Sequence, residues 1–214
     1  MSRITIFGGR GKVARLLIPI LVARGDEVTA VIRNDAHADE LRALGADPIV
    51  FDVERETRGG VARMLEGQDA VVWSAGAGGG DAERTMAVDR DGAIRSMDAA
   101  GDAGALRYVM VSYFGSSPTH GVDPANGFFS YAEAKAAADA HLRRSSLDWT
   151  VLGPSSLTMD EPSGLIDTEA EESGHVSRGN VAAVVAQTLV EPATIGRTIR
   201  FNDGTTPIAD ALRG

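Results

Sequence analysis

A chain of 214 residues, 43% of them hydrophobic, is long enough to bury one sizeable core and too short to add a substrate domain as large as a cofactor domain, so one unit must serve both. The net charge of −9, with acids spread along the chain, argues against nucleic acid or an anionic membrane as partner, and the lack of cysteine excludes disulfides, thiolate metal sites and cysteine nucleophiles. No apolar run approaches the roughly 20 residues that span a bilayer, and Met1 leads straight into a strand-like run without a leader pattern, so a cytoplasmic location is expected.

The first strand, 3–7 (RITIF), runs into FGGRGKVA, in which Gly8, Gly11 and Ala14 make G-x-x-G-x-x-A at the start of a helix over 12–24. Glycine lets backbone approach a ligand closely, and the free N–H groups and dipole of a helix start attract an anion such as a pyrophosphate. A strand, this loop and a helix inside a βαβ unit of about 30 residues is the context a dinucleotide fingerprint needs. The second strand, 27–32, ends at Arg33, where an acid would hold the ribose 2′-hydroxyl of NAD and an arginine accommodates the 2′-phosphate of NADP. Arg10 in the glycine loop approaches the same phosphate from the other side. NADP (NADPH) is therefore expected ahead of NAD, with Asp35 leaving a ribose contact open.

After a helix over 36–44, the third strand (47–51) ends at Asp52, placed to accept from the adenine amino group. A helix over 59–66 follows, then a fourth strand (69–74) ending in WSAGAGGG, where Ser74, Ala75 and Gly76 let backbone pass close to ribose and pyrophosphate and Gly78 to Gly80 read as a flexible turn. A helix over 82–101 leads to the fifth strand, 106–112, whose carboxyl end carries Ser112. The long connection from Tyr113 to Phe129, rich in Gly and Pro, is expected to form a pocket wall and a mobile lid. Next comes SYAEAK at 130–135. Ser130 with Glu133 reads as a capping box that puts Tyr131 on the first helical position and Lys135 one turn on, giving Y-x-x-x-K in a helix over 130–146. A phenol working near pH 7 must be lowered by about three units, and a fixed ammonium acts in that direction. Lys12 and Lys135 are the only lysines beside 19 arginines, so lysine at this position is a marked choice. Ser112 is placed to hold the oxygen that Tyr131 protonates, with Tyr113 and Ser116 as alternatives.

The sixth strand, 148–153, is followed by Pro154 to Val176, with six acids and no lysine or arginine, then by a helix over 178–191 and a last strand over 197–201. Near-continuous Val/Ile/Ala strands alternating with helices imply an α/β fold: a doubly wound, mostly parallel sheet in a single unit over 1–214, with residues from about 154 on the substrate side. Ligands then sit at the carboxyl ends of the strands, where the strand order reverses. Histidines 37, 120, 141 and 175 lack metal-ligand spacing, and no metal is expected; His120 alone is kept as a minor substrate contact.

FGGRGKVA, VIRN at 31–34, VDRDGAIRSMDAA at 88–100, YVMVS at 108–112, YAEAK at 131–135, DWTVLGP at 148–154 and VSRGNVAAVVA at 176–186 together resemble the short-chain dehydrogenase/reductase superfamily, within it the small atypical NAD(P)-binding members of sugar epimerase or NmrA-like type. The resemblance implies a Rossmann fold and catalytic roles for Ser112, Tyr131 and Lys135. It departs at Asp89, where extended members carry asparagine; a carboxylate there alters the proton relay and is placed to pair with Lys135. The expected cofactor contacts are Gly8, Gly9, Arg10, Gly11, Lys12, Val13, Arg33, Asp52, Val53, Ser74, Ala75, Gly76, Lys135 and Pro154. Three functions fit: an NADP-dependent oxidoreductase or epimerase acting on a small carbonyl or hydroxyl substrate, an NmrA-like redox sensor without turnover, and a flavin or quinone reductase. The oligomeric state, monomer or homodimer, stays open.

Overall fold

The computed structural model describes residues 1–78 and 81–214; the turn expected over Gly78–Gly80 lies outside them except for Gly78, which takes a positive φ. The first half alternates β1 (Arg3–Phe7), α1 (Lys12–Ala23), β2 (Glu27–Ile32), α2 (Ala38–Ala43), β3 (Asp47–Val50), α3 (Arg58–Met64) and β4 (Ala70–Trp73). Then α4 (Ala82–Thr85) passes through a π-helical segment, Met86–Gly92, into α5 (Ala93–Ala103), and β5 (Arg107–Val111), α6 (Phe129–Arg144) and β6 (Asp148–Pro154) follow. The remainder holds β7 (Ser156–Thr158), β8 (Leu165–Asp167), β9 (His175–Ser177), α7 (Arg178–Thr188), β10 (Arg197–Asp203), β11 (Thr206–Pro207) and α8 (Ile208–Arg213).

The main sheet has the order β11-β8-β10-β6-β5-β4-β1-β2-β3. It is parallel from β3 to β10, and β8 adds antiparallel at the β10 edge with Asn202 opposite Asp167. From β1 the chain winds out through β2 to β3, then returns to place β4 on the other side of β1, so the order reverses at the carboxyl ends of β1 and β4. This is the crevice that such sheets use for ligands.

Strand side chains alternate between two cores. Ile4, Ile6, Val72 and Val109 pack under α1, α2, α7 and α8, whereas Phe7, Val71, Trp73, Tyr108 and Met110 pack under α3, α5 and α6. Arg24 Nη1 donates to Ala186 O at 2.6 Å and fastens the end of α1 to α7.

Two expectations are corrected. Ser130 is not the cap of α6: the helix already begins at Phe129, with Phe128 in helical conformation before it and no side-chain cap. Asn126 starts it, its Oδ1 accepting from Phe128 N at 2.9 Å and its carbonyl from Phe129 N at 2.9 Å, while Glu133 turns away to His120. The single helix expected over 82–101 is interrupted by the π-helical segment Met86–Gly92, and in the stretch after Pro154 β7 and β9 pair with each other while β8 joins the main sheet.

Asn180, fully buried on α7, holds that addition. Its Nδ2 donates to Ser163 Oγ (3.0 Å), Leu165 O (3.2 Å) and Asp203 Oδ1 (2.5 Å), and its Oδ1 accepts from Gly164 N at 2.8 Å. Asn180→Ala removes four hydrogen bonds made by a fully buried side chain and leaves a void in its place, so urea unfolding should register a loss of about 2–4 kcal/mol. Amide exchange should quicken over residues 163–167 in particular. A loss below about 0.5 kcal/mol, the range of ordinary surface changes, would mean that β8 is held without this side chain.

Candidate functional site

Three glycines seat the β1–α1 loop on its neighbours. Gly8 has a φ of +81°, and a Cβ there would stand 2.6 Å from Ala75 Cα and 2.8 Å from Ser74 O. A Cβ on Gly9 would lie 2.8 Å from that of Ala30, and one on Gly11 would lie 3.0 Å from Gly8 O. The loop therefore lies flush on the carboxyl ends of β2 and β4, and α1 starts at Gly11 with no side-chain cap and no acid in its first turn.

Beside the loop is a cavity of about 420 Å³, lined by Gly8, Arg10, Gly11, Ser74, Ala75 and Gly76 on one side and by Ile32, Arg33, Phe51, Val53, Glu54, Arg84 and Val88 on the other. The lining fits the adenosine half of a dinucleotide: bare backbone and a free helix start for phosphate, guanidinium groups for a further anion, and Ile32, Phe51 and Val88 for a flat base. Asp52 stands outside the lining. Its Oδ1 accepts from Glu54 N at 3.0 Å, and its Oδ2 lies 3.6 Å from Arg55 Nε, so its side chain shapes the turn that presents Glu54. Lys12 is exposed on α1, Val13 turns its side chain into the core, and Pro154 is buried in β6, its carbonyl accepting from Phe114 N.

The second half of the site lies at the carboxyl end of β5. Lys135, 1% exposed, donates from Nζ to Val111 O at 2.9 Å and to Met110 Sδ at 3.0 Å. Burial lowers its pKa, against which Asp139 and Asp89 act. Asp139 is completely buried one turn beyond Lys135 on the same helix face; its Oδ2 accepts from Ser112 Oγ at 2.6 Å and from Ser116 Oγ at 2.5 Å, and its Oδ1 has no partner among the described residues. Asp89, on the π-helical segment, accepts from Ala77 N at 2.9 Å through Oδ2, and its Oδ1 is likewise unpartnered. Burial raises the Asp89 pKa; the Ala77 N–H, Lys135 and Arg84 oppose the rise.

The expected Asp89–Lys135 ion pair is not formed: the lysine spends its contacts on the end of β5 and meets the carboxylate only through its field. Tyr131 lies on the Lys135 face of α6, packed against Tyr113 (ring centroids 5.7 Å apart) and Phe128 (5.1 Å). Burial holds its phenol well above the ordinary value, and Asp89, Asp139 and Tyr113 push it further up. Ser112, Tyr131, Lys135 and Asp89 thus converge on one region, with its adenosine counterpart reached through Ser74–Gly76.

His120 is an internal tie and not a group offered to a ligand. Its side chain is 5% exposed, Nδ1 accepts from Val122 N at 3.0 Å, and Nε2 lies 2.8 Å from Glu133 Oε1. With Ser116 on Asp139 and Phe114 on Pro154, it fastens the loop after β5 at three points to β6 and α6.

Sequence reading missed Asp139, Glu54 and Arg84. Asp139 was readable, because YAEAKAAAD places Tyr131, Lys135 and Asp139 at intervals of four on one helical face. Glu54 follows β3 and Arg84 lies on α4, and no spacing links them.

The chain matches the NAD(P)H-binding family over residues 8–192. The uncharacterized sugar epimerase YhfK of Bacillus subtilis is 30% identical over 215 residues, which cover 99% of each chain. A solved structure from Bacillus halodurans, provisionally described as an NAD-dependent epimerase/dehydratase, is 34% identical with a TM-score of 0.90 over 99% of each chain. The oxidoreductase ylbE from Lactococcus lactis is 30% identical with a TM-score of 0.88, covering 98% of this chain and 94% of that one. With a glycine loop seated at the point where strand order reverses and a match that spans both halves of the site, the chain belongs to the NAD(P)H-binding family of Rossmann proteins, among its oxidoreductase- and epimerase-like members.

Proposed function

We propose that this protein is an NADP(H)-dependent oxidoreductase or epimerase acting on a small carbonyl or hydroxyl substrate, with Tyr131 as the acid and base. The observation that carries the reading is the convergence of Tyr131, Lys135 and Ser112 at the end of β5, with Lys135 buried and tied to Val111 O. A lysine held without a paired carboxylate in a dry site costs stability, and such groups concentrate where chemistry uses them.

The nicotinamide ring, when bound, supplies or takes up the hydride. Tyr131 moves the proton: its pKa is raised by burial first and by Asp89 and Asp139 next, so at neutral pH it carries the hydrogen and acts as proton donor to a carbonyl oxygen. Lys135, one turn along the same helix face, would steady the phenolate left after transfer by its positive charge. Ser112 commits its own proton to Asp139, so toward a ligand it offers lone pairs and accepts from a substrate hydroxyl. Arg33 and Arg10 support preference for the 2′-phosphate over a bare 2′-hydroxyl. Relatives described as an epimerase and as an oxidoreductase are compatible with this chemistry and leave the choice between them to assay.

The test is NADPH oxidation against a panel of carbonyls, sugars, quinones and flavins. Tyr131→Phe should lower turnover on the responding substrate about 100-fold or more, in line with loss of a general acid, while NADPH affinity stays within about twofold. Retained turnover would leave the flavin or quinone reductase reading, in which the tyrosine is dispensable. Tight cofactor binding with no turnover on any member would favour the sensor.

The raised phenol also fixes the sign of the pH dependence. Carbonyl reduction needs protonated Tyr131 and should be flat from about pH 6 to 9, whereas alcohol oxidation needs the phenolate and should climb by up to about tenfold per pH unit over that range. Steady-state profiles in both directions check this. A reduction rate that falls tenfold between about pH 6 and 8 would mean that the proton comes from another group.

A further inference from the structure

Arg33, the guanidinium assigned to the 2′-phosphate, already has a partner. Its Nη1 donates to Glu54 Oε1 at 2.9 Å, and the same oxygen lies 3.3 Å from Arg84 Nε. Arg84 in turn donates from Nη1 to Ala77 O at 2.9 Å, in the loop after β4. Glu54 is held in place from behind: Asp52 Oδ1 takes its backbone N–H, and Arg95 Nη1 donates to the carbonyl of Val53 at 2.5 Å. Arg10, Arg33, Glu54 and Arg84 all line the one cavity, so a carboxylate stands among three guanidinium groups where a cofactor phosphate is expected.

We propose that Glu54 is the specificity-determining residue of this cofactor site: a resident counter-ion that neutralises Arg33 when no 2′-phosphate is present and passes to Arg84 alone when one arrives. The inference rests on the reading of Arg33 as the 2′-phosphate ligand. The exchange is cheap because the Arg33 side chain is 55% exposed and that of Glu54 22% exposed, and ion pairs as open as this contribute little. A phosphate offers the guanidinium fork two oxygens and more charge than a carboxylate, so Arg33 turns to it. Arg84 is positioned to keep Glu54 through the change, since it contacts the same oxygen and is anchored on Ala77 O. With a plain 2′-hydroxyl the Arg33–Glu54 pair stays closed, and no bare guanidinium is left beside an uncharged ribose. Glu54 therefore narrows the gap between NADPH and NADH that two unpaired arginines would open.

Binding of NADPH and of NADH to the full chain, followed by calorimetry or nicotinamide fluorescence, tests this without a substrate, and thermal midpoints check that each variant folds. Glu54→Gln should tighten NADPH about two- to fivefold, the size of an exposed ion pair, and change NADH by less than twofold. Arg84→Gln should weaken NADPH, because Glu54 then has only Arg33 to hold. Adding Glu54→Gln to Arg84→Gln should restore binding to the level of Glu54→Gln alone. If the double variant stays as weak as Arg84→Gln, Arg84 touches the phosphate itself and the handover is wrong. If Arg33→Gln weakens NADPH while Glu54→Gln affects neither cofactor, or both equally, the role of Glu54 falls and the NADP reading stands. If Arg33→Gln leaves NADPH unchanged, the reading and this proposal fall together.

Discussion

The close seating of the β1–α1 loop on the ends of β2 and β4 is the constraint from which the rest of the site follows. Gly8 and Gly9 bring that loop nearer to Ser74, Ala75 and Ala30 than any side chain permits, and Gly8 does so at a φ that only glycine adopts without strain. These glycines answer first to the protein's own packing. Their consequence for a ligand is indirect but strong: with the loop pressed down, the start of α1 opens directly into the cavity, and no side chain among the described residues caps it. The same seating fixes the β4 loop, whose next residues, Gly76 and Ala77, run toward Asp89.

From there a continuous chain of polar contacts joins the two ends of the site. Arg33 meets Glu54, Glu54 meets Arg84, Arg84 holds the carbonyl of Ala77, and the N–H of Ala77 is held by Asp89. Asp89 then acts through its field on Lys135 and Tyr131. Arg84 and Asp89 thus meet at one residue, Ala77, the first on its carbonyl and the second on its N–H. The π-helical segment makes this geometry available, since an extra residue in the turn shifts Asp89 relative to a regular helix; such bulges often mark functional positions.

Much of this was legible in the sequence where one element carries the whole signal. β1 and β2 have the bounds read from their apolar runs, and Tyr131 and Lys135 share a helix face because four-residue spacing dictates it. What the sequence concealed depends on meetings between elements. The strands β7, β8, β9 and β11 are too short for any periodicity, and β8 exists because β10 runs on past Phe201 and offers it an edge. The Ser130–Glu133 capping box was chemically sound as a pattern, yet Asn126 had already begun the helix and His120 had claimed Glu133. Asp52 follows a strand at the position read as an adenine contact, and its Oδ1 also accepts a turn bond from Glu54 N that no spacing signalled. Local pattern ranks the candidates; the competing partner decides.

The buried charged cluster around Lys135 carries a cost that packing alone does not explain. Lys135 and Asp139 are buried at the same helix face with Asp89 close by, and one oxygen of each carboxylate lacks a partner among the described residues. Apolar residues of similar volume would fill this space without removing charge from water, and replacing buried ionic groups in that way is often neutral or stabilising. The arrangement does have an electrostatic result. Burial first, and then Asp89 and Asp139, hold the phenol of Tyr131 in its protonated form. Asp139 adds a geometric result by engaging the protons of Ser112 and Ser116 on one oxygen, which leaves Ser112 its lone pairs for any further partner. Groups whose ionisation is displaced by burial and specific charged neighbours gather at working sites, and here they do so where strand β5 ends and the helix bearing Tyr131 passes over it.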